Sequence, residues 1–145
     1  MKKLEIFNSM LEEQIAFFTK EAAKHKSLYR SCRYSVSILS ALSAVLAALT
    51  VVVDDDLIKV LIVVASAVSS VIAFREGLRK PYELWMNERS TSHALLDLKR
   101  DARFYLTDNS SDEDIEDFFQ KMQSIVTMSG KNWRAVVSSD SKVTK

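Results

Sequence analysis

Glycine, proline and cysteine are nearly missing from this chain of 145 residues, whose only examples are Gly77, Gly130, Pro81 and Cys32. So few backbone breakers predict an almost entirely helical protein and exclude a glycine-rich phosphate-binding loop. A lone cysteine excludes an internal disulfide. Histidine is scarce as well: His25 stands between Lys24 and Lys26, and His93 sits in a polar stretch. Neither has a partner at ligand spacing, so no metal site is expected. The net charge of +1 excludes the basic excess typical of a duplex nucleic-acid binder. No serine carries a nucleophile-elbow motif and no nucleophile–base pair is readable. The chain therefore does not read as an enzyme, and no catalytic residue or cofactor is expected. Glu5 and Asn8 interrupt any apolar run behind Lys2 and Lys3, which argues against a cleavable signal peptide.

Long hydrophobic runs are present, and they are segregated from the charges. The overall figures, 48% apolar and 27% charged, would suit an ordinary soluble domain. Residues 35–53, however, read SVSILSALSAVLAALTVVV without a charge, and residues 57–74 read LIKVLIVVASAVSSVIAF with Lys59 as the single charge. At ~1.5 Å per residue each makes a helix of roughly 27–28 Å, close to the ~30 Å hydrocarbon core of a bilayer. The intervening Asp54, Asp55 and Asp56 allow only a tight reversal, and such charges each cost about 2.5–3.5 kcal/mol at mid-bilayer. The expected object is a transmembrane helical hairpin over residues 35–74. Lys20, Lys24, Lys26, Arg30 and Arg33 precede it and Arg75, Arg79 and Lys80 follow it, so both termini are expected in the cytoplasm. The alternative, a soluble bundle with a buried central hairpin, would need the flanks to cover two helices that are apolar all round.

The flanks predict a helical bundle. Residues 1–34 form an N-terminal cytoplasmic helix with Leu4, Phe7, Leu11, Ile15, Phe18 and Ala22 at three-four spacing, and no breaker separates it from the first span. Residues 75–129 supply the C-terminal cytoplasmic helices. Pro81 should kink or restart the chain. After the second span Leu78, Tyr82, Trp85, Leu95, Leu98, Ala102 and Tyr105 lie toward one helical face, and a helix from about Pro81 to Leu106 is expected to return antiparallel to the first helix. Ser110 and Glu113 have capping-box spacing before a helix of about residues 112–128, which presents Ile115, Phe118, Phe119, Met122, Ile125 and Val126 on one side. Residues 130–145 are expected as a disordered tail. The fold class is all-α.

Each span has a small-residue face: Ser37, Ser40, Ala41, Ala44, Ala47 and Ala48 in the first, and Ser66, Ser69, Ser70, Ala73 and Gly77 in the second. Small faces let membrane helices approach closely, and packing the hairpin against itself or its neighbours is their common use. The functional reading is that Ser37, Ser40, Ala44, Ser66, Ser69, Ser70 and Ala73 line a polar path in a ring of copies, because one hairpin cannot enclose a pore. Asp54, Asp55 and Asp56 would then ring the outer mouth and enrich cations, against the plainer role of a solvated turn. Tyr34, Tyr82, Trp85 and Arg89 are candidate anchors at the cytoplasmic interface. The run Asp112, Glu113, Asp114, Glu116, Asp117 lacks the EF-hand spacing and its central glycine, and the helix dipole accounts for acids in a first turn.

A basic helix, a small-residue hairpin and a following helix with W-x-x-x-R and then L-x-x-x-x-x-F-Y together resemble the SLATT family of two-transmembrane effector domains associated with SMODS and SLOG proteins. The residues that carry the resemblance are Tyr29, Arg30, Trp85, Arg89, Leu98 and Phe104-Tyr105, within about residues 20–106. His93 stands where an acidic or aromatic residue is expected. The resemblance implies an oligomeric effector of the bacterial inner membrane that forms a pore and depolarises the cell in antiviral defence by abortive infection. Its partners would be the lipid bilayer, further copies of itself, and a cytoplasmic sensor protein or nucleotide signal. The alternative function is a non-conducting membrane scaffold that oligomerises and recruits a cytoplasmic partner.

Overall fold

The computed structural model describes residues 2–53, 55–107 and 110–138. Among them there are four helices and no strand: α1 (Lys2–Leu49), α2 (Asp56–Arg79), α3 (Pro81–Tyr105) and α4 (Asp112–Ser138). The all-helical expectation holds. The first flank and the first apolar span form one unbroken helix of 48 residues, because the sequence places neither glycine nor proline there.

The helix ends follow local chemistry. Asp55 caps α2: its Oδ1 accepts from the Leu57 amide at 2.8 Å. Lys80 ends α2 in the left-handed region at φ 42°, and its amide donates to the Glu76 carbonyl. The right-handed region is disfavoured for a residue before proline, and Pro81 then opens α3 at the helical position that needs no amide donor. The cap of α4 lies one residue beyond the expected pair. Ser111 Oγ accepts from the Asp114 amide at 3.1 Å while Asp114 Oδ2 accepts from the Ser111 amide at 3.1 Å. Ser110 instead closes the preceding turn by accepting from the Thr107 amide at 2.8 Å.

The chain divides into two units, Lys26–Pro81 and the helices on either side of it. In the flanking unit, the start of α1, α3 and α4 form a three-helix bundle around Phe7, Leu11, Phe18, Leu95, Leu98, Ala102, Leu106 and Met122. Cross-links fix the directions. Glu12 pairs with Lys99 at 2.7 Å, the Thr19 and Ser92 hydroxyls lie 2.9 Å apart, and His25 meets Glu88, so α3 runs antiparallel to α1. Lys3 pairs with Asp112 at the far end, so α4 runs parallel to α1. The stripe expected after the second span differs from the one observed on α3. Its buried side is Glu88, Thr91, Ser92, Leu95, Leu98 and Ala102, whereas Leu78, Tyr82 and Tyr105 are exposed. Three of the buried positions are polar and are invisible to an apolar pattern.

The expected tail over residues 130–145 is corrected in part. Residues 130–138 continue α4, and residues 139–145 lie outside the described residues. Ser129 is buried and Val136 half-buried on the same face as Met122, so the helix keeps its packed side where small residues interrupt the apolar pattern.

In the other unit, α2 returns along the second half of α1. Partial burial recurs at Cys32, Val36, Leu39, Ser43 and Leu46 in α1 and at Thr50 just after it, and at Ile58, Ile62, Ser69, Ile72 and Glu76 around buried Ala65 in α2. This alternating spacing of three and four is the seam of an antiparallel helix pair. Arg33 and Glu76 clasp its open end at 3.2 Å.

Candidate functional site

Two places collect the residues that function would need: the outer faces of the hairpin and the polar end of the bundle.

The hairpin seam leaves the expected small faces uncovered. Ser37, Ser40 and Ala44 of α1 and Ser66, Ser70 and Ala73 of α2 are exposed; Ser69 alone of the candidate residues lies in the seam. The seam is built instead from residues such as Leu39, Leu46, Ile62 and Ile72. The faces therefore do not pack the hairpin against itself. At ~100° per residue the small face follows the seam by roughly a third of a turn on each helix. In antiparallel neighbours an equal offset points to the same side of the pair. One side of the hairpin is thus serine and alanine, and the other carries Ile38, Leu42, Val45, Val64, Val68 and Val71, all exposed. Within these helices Ser43 donates to the Leu39 carbonyl and Ser70 to the Ser66 carbonyl, each at 2.9 Å. Such bonds satisfy a hydroxyl without water.

At the reversal, Asp56 pairs with Lys59 at 3.1 Å, and Asp55 is spent on its cap while remaining exposed. Asp54 lies outside the described residues. Of the expected anchors, Tyr34 accepts from Arg30 at 3.4 Å in the hairpin unit. Tyr82, Trp85 and Arg89 form a stack on the first turns of α3, with Tyr82 edge-on to Trp85 at 5.9 Å and the Arg89 guanidinium 5.8 Å from the indole centre.

The polar end of the bundle was not foreseen as a site. Glu21 and His25 stand one turn apart on α1 and face Glu88 of α3. The His25 Nε2 lies 3.4 Å from Glu88 Oε1 and 3.9 Å from Glu21 Oε2. One ligand atom from each of the three residues lies within 4.8 Å of the other two. Asn87 ties the same level to α4 by donating to the Ser129 carbonyl and hydroxyl, each at 3.2 Å. A cavity of about 360 Å³ opens here, walled by Phe17, Phe18 and Trp133. Glu88 is 8% exposed, and its Oε2 has no hydrogen-bond partner among the described residues. Burial, and then the neighbouring Glu21 carboxylate, push the Glu88 carboxyl up to about 7, with Lys24 opposing. Burial draws the His25 imidazole below its ordinary value although Glu21 pulls it upward. The i, i+4 spacing of Glu21 and His25 was available in the sequence. Glu88 was not, because only the return of α3 brings it there.

No curated protein and no solved structure matches the chain. Residues 13–108 match the family described as "Protein of unknown function (DUF4231)". That stretch takes in α1 from residue 13 onward, α2, the Glu21–His25–Glu88 cluster and all of α3, and on it the chain belongs to the DUF4231 family.

Proposed function

We propose that the hairpin crosses the inner membrane of a bacterium with both termini in the cytoplasm, and that several copies assemble into a pore that depolarises the cell as an antiviral effector. The observation that carries the membrane reading is the lack of protein cover on the apolar helices. None of the most apolar 18-residue window of α1 is buried, and Ala65 is the buried residue of α2. Soluble monomers rarely expose apolar patches beyond a few hundred Å². Hydrocarbon is the solvent that removes this cost, and both helices have the length to cross it.

Assembly rests on the uneven sides of the hairpin. Bulky aliphatic side chains suit lipid tails, while a serine and alanine side admits a neighbouring helix at close range and offers hydroxyls across the contact. Copies joined through that side would place Ser37, Ser40, Ser66 and Ser70 toward one another and toward any path at the centre. The bundle would then receive the activating partner or nucleotide signal. This last step rests on the resemblance to SLATT effectors.

The test is induced expression in bacteria with a voltage-sensitive dye, beside alkaline washing of the membranes. The expected outcome is protein that resists the wash and a fall in potential that precedes growth arrest. Ser40→Leu and Ser66→Leu should abolish depolarisation while leaving the protein in the membrane. Unchanged killing by both variants would remove the serine-lined path. A wash-resistant protein that leaves the potential intact, with and without candidate nucleotide signals, would favour the non-conducting scaffold. Release by the wash would overturn the membrane reading itself.

A further inference from the structure

We propose that Glu21, His25 and Glu88 form a binding site for a divalent first-row transition metal ion, with Zn²⁺ as the reference ion. The geometry supplies the first argument. Metal–ligand bonds of ~2.0–2.2 Å set ligand atoms roughly 3.3–3.5 Å apart in a tetrahedral site. The imidazole nitrogen already lies 3.4 Å from one carboxylate oxygen and 3.9 Å from the other. Closing the set needs only a small swing of Glu21, whose side chain is the most exposed of the three.

Buried polarity supplies an independent argument. A buried carboxylate oxygen without a partner is costly, and such an atom in a folded protein calls for a specific explanation. Glu88 Oε2 is such an atom, held between α1 and α3 beside a cavity. A cation bound to Glu88 would remove that cost. The charges also match: two carboxylates and a neutral imidazole cancel a divalent ion.

The donor set selects the class of ion. One imidazole nitrogen with two carboxylate oxygens suits Zn²⁺ and its first-row neighbours, and it lacks the thiolates that favour Cu(I) and the six to eight oxygens that Ca²⁺ takes. Three protein ligands leave a coordination position open toward the cavity. The ion would clamp α1 to α3 at the polar end of the bundle. This site does not depend on the pore reading.

The experiment uses the full chain, purified in detergent and stripped with a chelator. Zn²⁺ is titrated calorimetrically, Co²⁺ is followed by its visible absorption, and helix content is checked by circular dichroism. The expected result is about one ion per chain, a Co²⁺ spectrum of low coordination number, and a higher unfolding temperature with metal. Glu21→Gln, the mildest variant for folding, Glu88→Gln and His25→Ala should each weaken binding more than ~10-fold. Asp112→Asn, in the acidic turn of α4, should leave it unchanged. Absence of binding, or binding that survives all three ligand variants, or binding lost only with Asp112→Asn, would overturn the site.

Discussion

The bundle and the hairpin are both built from long helices with apolar residues at helical spacing, yet they treat those residues in opposite ways. In the bundle each helix turns one apolar stripe inward, and Leu11 and Leu95 are completely covered. In the hairpin only a narrow seam is covered, and Ile38, Val45, Val63 and Val71 are each more than half exposed. The difference shows what makes a hydrophobic residue informative. A stripe opposite charged residues specifies a protein core, whereas an apolar surface all round specifies a solvent.

This contrast can be broken most forcefully at its two centres. Leu95→Ala should destabilise the bundle by about 2–5 kcal/mol, since it empties a fully packed site, and thermal unfolding of the full chain in micelles followed by circular dichroism measures it. In the hairpin, Leu42→Arg should cost about 2.5–3.5 kcal/mol of insertion free energy, seen as loss of wash-resistant protein. Leu42→Ala should leave insertion nearly intact. If Leu42→Arg inserts as well as the parent, the exposed face of α1 does not meet lipid.

A pH series sharpens the comparison within the bundle. Glu88 has its folded-state value raised to about 7 from 4.5, so the folded chain holds more protons than the unfolded chain between those values. Its contribution is fully present below about 4.5 and is lost as pH rises through about 7. In chelator, Glu88→Gln should match the parent at pH 4 and exceed its unfolding temperature at pH 8. Equal curves throughout would mean that Glu88 is not desolvated. His25, with its lowered value, slopes the opposite way in the parent. The smallest effect concerns the exit from the hairpin. Lys80→Gly should stabilise by roughly 0.5–1 kcal/mol, because a left-handed residue other than glycine is strained by about 1–2 kcal/mol and glycine returns part of that as unfolded-state entropy.

Much of the fold is legible in the sequence, for identifiable reasons. Phe7, Leu11 and Phe18 on one side and Leu95, Leu98 and Ala102 on the other follow strict helical spacing, and Pro81 marks a helix start that no other residue could mark as well. The seam is less legible. Cys32, Val36, Leu39, Ser43, Leu46 and Thr50 mix polar and apolar types, so an observer grouping residues by size finds the serine face and assigns it the packing role. Glu88 illustrates a different limit. Its importance comes from an oxygen without a partner and from two residues 63 and 67 positions earlier, and no local pattern can announce such a meeting. The extent of α4 was hidden because Ser129 and Gly130 interrupt the apolar period at a point where the helix continues.

The bundle is discontinuous in the chain: its first segment runs to His25 and it resumes at Tyr82, with the hairpin unit between them in sequence. That arrangement sets an order of assembly. The first part of α1 emerges from the ribosome without a partner and waits until the whole insert has been made. Joining it to α3 through a slack insert would carry a loop-closure cost that grows as ~(3/2)RT ln n. A hairpin already zipped along its seam and clasped by Arg33 and Glu76 delivers its two ends together and removes most of that search. A chain whose hairpin cannot close should therefore show a slow folding phase in the bundle.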